Sequence, residues 1–263
     1  MTEIEEWGTR QFLLTVAAGK RLIAKAVAQL GPVKRALADG TVVVLGGSTN
    51  GYVAQELLRV TGAEGGSSFD MRGFYRGVTV APGCRAPAGA PAFAGDLVFE
   101  KGRAVRGKTI FDVADGLKEG DVVIKGANAV DAGRKLAGIL IGHPQIGTSG
   151  PILQAAVGRR VELILPVGLE KRVWGDLAQL AAKLNAANAS GPRMLPVTGR
   201  IVTELEAVQT LAGCSAELVA AGGIYGAEGS CRLALTGTAA QLEAAQALIG
   251  PLEKEPPFPG GQV

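Results

Sequence analysis

The sequence predicts an α/β fold, an open parallel sheet covered by helices, on three observations. Apolar residues make up 47% of the 263 and charged ones 19%, so a sizeable core can be buried and disorder is disfavoured. Aromatics are only 5% while glycines number 39, a balance suited to helices packed closely on a sheet rather than to an all-β module. Short apolar runs that end in glycine also alternate with stretches at helical spacing.

Residues 3–38 carry Phe12, Leu13, Val16, Leu22, Ile23, Ala26, Val27 and Leu30 at three- and four-residue steps. That spacing predicts two helices, broken at Gly31-Pro32, the second closing at Asp39-Gly40. Thr41-Val-Val-Val-Leu45 is β-branched and apolar on both faces, as a central parallel strand should be. It runs straight into Gly46-Gly-Ser-Thr-Asn50 and then into a helix over 51–60 whose apolar stripe is Val53, Ala54, Leu57 and Leu58. Residues 63–108 are rich in Gly, Pro and Arg and form an irregular β insertion, with short strands at 77–80 and 97–99. Lys101-Gly102 suits a hairpin turn into 104–105, and this segment is placed as a flap over the site. Buried strands follow at 121–125, 138–142 and 161–167. A helix starts at Thr148 and runs to Val157, and an amphipathic helix covers 173–187 ahead of a linker at 185–192. Beyond Met194 come a strand at 195–202, a helix at 204–211 capped by Thr203, strands at 216–221 and 231–235, and a last helix at 239–249. This β-α-β-β-α order resembles a ferredoxin-like domain. The expected organisation is a Rossmann-like ligand-binding domain with N-terminal helices over 1–190 and a small ferredoxin-like α+β domain over 191–263.

Composition excludes several functions. The net charge is only +3 and the 27 basic residues form no run of four or more, so no nucleic-acid stripe is expected. The acidic start, Met1 to Trp7, is unlike a signal peptide, and no apolar run approaches the roughly 20 residues of a membrane span. Cys84, Cys214 and Cys231 are odd in number with no CxxC pair, which suits free thiols in a reducing cytoplasm. One histidine cannot build a His-based metal cluster, and neither a Walker A loop nor GxGxxG is present, so no metal or cofactor is expected.

Two strand ends carry the candidate chemistry. At Gly46, Gly47, Ser48, Thr49 and Asn50 a buried strand turns sharply into a helix whose first N–H groups lack partners. Those donors, the helix dipole and the hydroxyls suit an anion, although the same residues also make a plain capped turn. Lys125, Gly126, Ala127, Asn128 and Asp131 lie past the next buried strand, and in a parallel sheet two such ends converge on one crevice. Lys125 also fits a snorkelling lysine, Asn128 a turn former and Asp131 a cap. His143, the sole histidine, follows a buried strand beside a hydroxyl-rich helix start, a candidate acid/base or a satisfied loop residue. Arg72, Arg76, Arg85, Arg103, Arg106 and Lys108 suit a clamp on a polyanion or a solvated face, and Cys84 precedes Arg85 as a candidate thiol.

The succession strand–Gly-Gly-Ser-Thr–helix, strand–Gly-Ala-Asn-Ala-Val-Asp, then Leu163-Ile-Leu-Pro-Val-Gly-Leu-Glu-Lys171 resembles the superfamily of ribose-5-phosphate isomerase, glucosamine-6-phosphate deaminase and CoA transferase. Within it, the sugar-sensing domains of DeoR-type regulators are most similar. The resemblance spans about residues 42–171 in three short motifs. It implies Gly47, Ser48, Thr49 and Asn50 on a phosphate or carboxylate, Gly126, Ala127, Asn128 and Asp131 beside the ligand body, and Lys171 at the rim. The isomerase-like acidic pair after the Gly-Ala segment is missing, since Ala132 follows Asp131, and no glutamate loop of the CoA transferases is found. The N-terminal helices lack the strand pair of a winged helix, so no DNA-reading half is expected. The expected partner is a small phosphorylated or carboxylated metabolite, with no nucleic acid and no membrane. One alternative is a sugar-phosphate isomerase with Asp131 as base and Lys125 stabilising an enediolate. Another is a non-catalytic sensor or assembly subunit whose C-terminal domain makes a homo-oligomer.

Overall fold

The computed structural model describes residues 7–63, 69–76, 79–80 and 91–258. A mixed six-stranded sheet forms the centre. Strands β2 (Thr41–Val44), β5 (Val122–Ile124), β8 (Glu162–Pro166) and β10 (Arg200–Val202) run parallel to one another. Strands β3 (Leu97–Glu100) and β4 (Arg103–Val105) complete it in the order β10-β8-β5-β2-β3-β4. The predicted hairpin is therefore present, with Lys101 and Gly102 at φ 48 and 75 as its turn. The hairpin itself belongs to the sheet, whereas residues 64–68, 77–78 and 81–90 of the same segment, with part of the strand expected at 77–80, lie outside the described residues. β3 pairs antiparallel with β2, so the hairpin is the edge of the central sheet.

Alternate residues of the central strands feed two cores. Val42, Val44, Ile124 and Ile164 face helices α1 (Val16–Gln29) and α3 (Ser48–Thr61). Val43, Leu45, Val123, Leu163 and Leu165 face the other way, toward α4 (Ile110–Val113) and α5 (Ser149–Leu153). Leu22, Ile23 and Val27 of α1 are fully buried, worth about 1.5–3 kcal/mol each. Thr15 caps α1, its Oγ1 accepting from the Ala18 N–H at 3.2 Å. α2 (Gly31–Asp39) follows, so the expected break at Gly31-Pro32 is the first turn of the second helix, where proline is tolerated.

The N-terminal helix expected over residues 3–38 is corrected at its start, for Trp7–Leu14 is a strand, β1. Phe12 and Leu14 point inward at alternate positions, and β1 pairs along its length with β12 (Cys231–Thr238). The apolar residues 12, 13 and 16 fell at helical steps only because α1 begins directly after the strand. β11 (Ser215–Ala221) completes a three-stranded sheet, β1-β12-β11. Helices α7 (Glu204–Ala212) and α8 (Ala239–Ile249) both contribute to the core beneath it.

The run expected as one strand over 195–202 is broken at Thr198-Gly199. Its first part, β9 (Arg193–Val197), pairs with β7 (Leu136–Ile141), while β10 joins the central sheet. A Cβ at Gly199 would stand 2.8 Å from the Leu163 carbonyl oxygen, so the chain passes too close to β8 there for a side chain. β6 (Ala129–Asp131), β7 and β9 form the third sheet, antiparallel throughout. Pairings cross residue 190 in all three sheets. The helix predicted over 173–187 is shorter, α6 (Leu177–Leu184), and begins where Asp176 accepts from the Ala178 and Gln179 N–H groups. Among the described residues no helix is long and apolar enough to cross a membrane.

Candidate functional site

Strands β2 and β5 lie side by side and parallel, with Val44 opposite Ile124, so their carboxyl ends open on one edge. Asn50, in the first turn of α3, ties them together. Its Nδ2 donates to the Leu45 carbonyl at 2.8 Å and the Ile124 carbonyl at 3.1 Å. Gly46 is required by a close approach, since a Cβ there would sit 2.6 Å from Cε2 of Phe93.

A crevice of about 320 Å³ opens at this edge. It collects Gly46, Gly47, Ser48, Thr49, Asn50, Arg76, Lys125, Gly126, Ala127, Asn128 and Lys171, all marked by the sequence, and adds Val16, Lys20, Thr79 and Glu170. The two glycine-rich loops therefore emerge at the same end of the sheet.

The donors are distributed differently from the sequence expectation. The Gly46 N–H is already given to Asp96 Oδ1 at 3.0 Å and the Gly47 N–H to the Phe74 carbonyl at 3.0 Å. The Ser48, Thr49 and Asn50 amides, which open the 14-residue α3, have no partner among the described residues. They carry the positive end of the helix dipole into the crevice. Four cationic side chains line it, Lys20, Arg76, Lys125 and Lys171, against one carboxylate, Glu170. Lys171 Nζ donates a long hydrogen bond to Thr49 Oγ1 at 3.5 Å, and its one counter-charge in the crevice, Glu170 Oε1, is 4.0 Å away. Burial holds the Lys125 ammonium below the ordinary lysine range. Asp96 opposes that shift, while Lys171 and Arg76 add to it. Lys20 is only 8% exposed. Its pKa is likewise lowered, first by burial and further by Lys171, against the pull of Glu170 and Glu204. Asn50 Oδ1 and Glu170 Oε1 are buried without hydrogen-bond partners. Along its lining the crevice thus gathers more cationic side chains and free N–H groups than carboxylates, with Asp96 and Glu204 offsetting part of that charge from behind.

The structure does not bring Asp131 into this crevice. It ends β6, where its carboxylate accepts from the Arg134 N–H and from Arg134 Nη1, each at 2.9 Å. Those bonds hold its pKa below the usual carboxylate range. The strand beginning at Ala129 directs it to Arg134 rather than to the anion turn. His143 lies in an adjoining cleft, where its Nδ1 accepts from the Gln145 N–H at 3.1 Å. Asn128 borders both cavities, and its Oδ1 is engaged by the Leu140 N–H at 3.0 Å. Of the arginine-rich stretch, Arg76 reaches the crevice and stacks 3.9 Å from the Phe93 ring centroid. Arg72 is bound to Asp70 and Lys108 to Glu100. Cys84 and Arg85 lie outside the described residues, and Cys214 and Cys231 are buried free thiols.

Comparison with family models, curated proteins and solved structures gives no match. Among the described residues no group of three or more His, Cys, Asp or Glu side chains is placed to hold a metal. The sequence reading missed Lys20 and Glu170. Lys20 had a signal, for it falls on the stripe of Val16, Ile23 and Val27, where a lysine interrupts a core-facing row. Glu170 stood beside Lys171 in a motif already singled out. Asp96 had none, because nothing in the irregular segment before β3 marks it as the partner of Gly46.

Proposed function

We propose that this chain binds a small phosphorylated or carboxylated metabolite at the joined ends of β2 and β5. The observation that carries the reading is the charge of the crevice: four cations and the open amino end of α3 face one carboxylate. A phosphate or carboxylate supplies the acceptors that the Ser48, Thr49 and Asn50 amides lack. The mostly parallel central sheet, with its site at the strand ends, supports a Rossmann-like description. The two helices and three antiparallel strands that join the chain ends support a ferredoxin-like one for that part. The convergence of the Gly-Gly-Ser-Thr turn, the Gly-Ala-Asn segment and Lys171 favours kinship with the isomerase and CoA-transferase superfamily.

A second reading, an isomerase-type enzyme, is favoured by Glu170 and not by Asp131. Glu170 lines the crevice and brings its one lining carboxylate there, the type of group a proton abstraction requires. Lys125, Lys171 and the α3 amides would stabilise the developing enediolate oxygen.

Titration calorimetry with inorganic phosphate, pyrophosphate and ribose 5-phosphate tests the binding reading, with Lys125→Met as the discriminating variant. Losing one charge-assisted contact should weaken the tightest of these at least about tenfold. The unliganded melting temperature should stay level or rise, because the burial that lowers the lysine's pKa outweighs the attraction of Asp96. Unchanged affinity together with a lower melting temperature would make Lys125 structural and sink the assignment.

A further inference from the structure

A second cleft, of about 440 Å³, opens directly beside the anion crevice and shares Arg76, Lys125 and Asn128 with it. Its character differs. Ile139 and Ile141 of β7 contribute apolar surface, and Phe111 of α4 and Ile146 add two more apolar side chains. Phe111 is 57% exposed and Ile146 39%, although each has a large apolar surface to hide. Ile146 is also held at φ 54, a backbone region that β-branched residues seldom adopt. Beyond the shared Arg76, Lys125 and Asn128, its polar side chains are His143, Gln145, Thr148 and Ser149. Because His143 Nδ1 accepts the Gln145 N–H, its proton sits on Nε2, which is left to donate.

We propose that the metabolite carries a flat, apolar ring a few bonds from its anionic group, and that this ring occupies the cleft lined by Phe111, Ile146 and His143. The inference rests on the anion-binding reading and adds the class of ligand. The continuity of the two cavities argues for it. A substituent that leaves a phosphate against α3 by way of Lys125 and Asn128, which border both cavities, enters the cleft that holds Phe111, Ile139, Ile141 and Ile146. A sugar phosphate alone leaves Phe111 and Ile146 in water. A ring covers them, stacks on Phe111 and places an acceptor within reach of His143 Nε2.

The test is titration calorimetry of inorganic phosphate, ribose 5-phosphate, phenyl phosphate and adenosine 5′-monophosphate against the wild-type protein, Phe111→Ala and Phe111→Tyr. One ring stacked on one aromatic should make at least one of the two ring-bearing phosphates bind about tenfold tighter than ribose 5-phosphate. Phe111→Ala should erase that advantage while leaving the affinity for inorganic phosphate unchanged, and Phe111→Tyr should retain it. Phe111 is exposed, so these variants should melt like the wild type. If phosphate binds but neither ring-bearing compound binds tighter than ribose 5-phosphate, the ring is wrong and the anion site stands. The inference is also overturned if Phe111→Ala weakens all four compounds equally. If none of the four binds, the anion site and the ring both fall.

Discussion

Replacing Asp96 by Ala should lower the melting temperature by about 10 °C and abolish anion binding with it. Asp96 is 4% exposed, and its two oxygens hold two different pieces of the site. Oδ1 accepts the Gly46 N–H at 3.0 Å, and Oδ2 accepts the Ile110 N–H at 2.8 Å where α4 begins. Alanine leaves two buried N–H groups unpaired, at about 1–3 kcal/mol each. It also removes the negative charge that opposes the lowered pKa of Lys125. A total of about 4 kcal/mol, at roughly 2–4 °C per kcal/mol for a chain of this size, gives the expected shift. Asp96→Asn keeps one acceptor and should fall between the two. Thermal melting followed by circular dichroism decides it. A drop below about 2 °C would show that the turn is held by its glycines alone, without the carboxylate tie.

The second large effect is a pH dependence. Glu204 opens α7 with 2% of its surface exposed and accepts the Leu169 N–H through Oε2 at 2.9 Å. Burial, with the neighbouring Glu170 carboxylate, raises its pKa from 4.5 to about 7, against the pull of the Leu169 N–H and Lys171. A folded-state pKa above the unfolded one means that the native chain keeps a proton the unfolded chain releases. Stability is therefore lost as pH rises from about 4.5 through 7, and the loss is complete above that. The shift corresponds to something on the order of 3 kcal/mol. Glu204→Gln still accepts the Leu169 N–H and never ionises. Its melting temperature should match the wild type at pH 4.5 and exceed it by several degrees at pH 8. Parallel melting curves across that range would mean that Glu204 is ionised in the fold throughout.

Legibility followed the range of the forces. The unit from Thr41 through α3 was readable because β-branched residues, small turn residues and a helical stripe succeed one another locally. So was the hairpin at Lys101-Gly102, where positive φ selects the turn residues. α8 was expected at Ala239–Ile249 and lies there, closed at its start by Thr238 and Gln241. β1 was not readable. Nothing between Trp7 and Leu14 declares a strand until Cys231–Thr238 is laid beside it. The third sheet was missed for the same reason, since β7 looks like any buried strand until β6 and β9 flank it. At the site, the turn and Lys125 through Asn128 were found because they close buried strands. Asp131 was misplaced because it ends a strand that starts at Ala129, with Ala129 and Val130 between it and that loop end, while Glu170 and Lys20 depend on how β8 and α1 pass the crevice.

The pairing of β1 with β12 also sets an order of events during synthesis. The first strand leaves the ribosome more than about 200 residues before its partner, which at roughly 5–20 residues per second is a wait of ten to fifty seconds. Throughout that interval Phe12 and Leu14 have no sheet to cover them, and the strand offers unpaired amides to any neighbouring nascent chain. Only when Cys231–Thr238 emerges does the chain close on itself. A slowed ribosome in the stretch between α7 and β12 would lengthen this open interval, and self-association through β1 would grow with it.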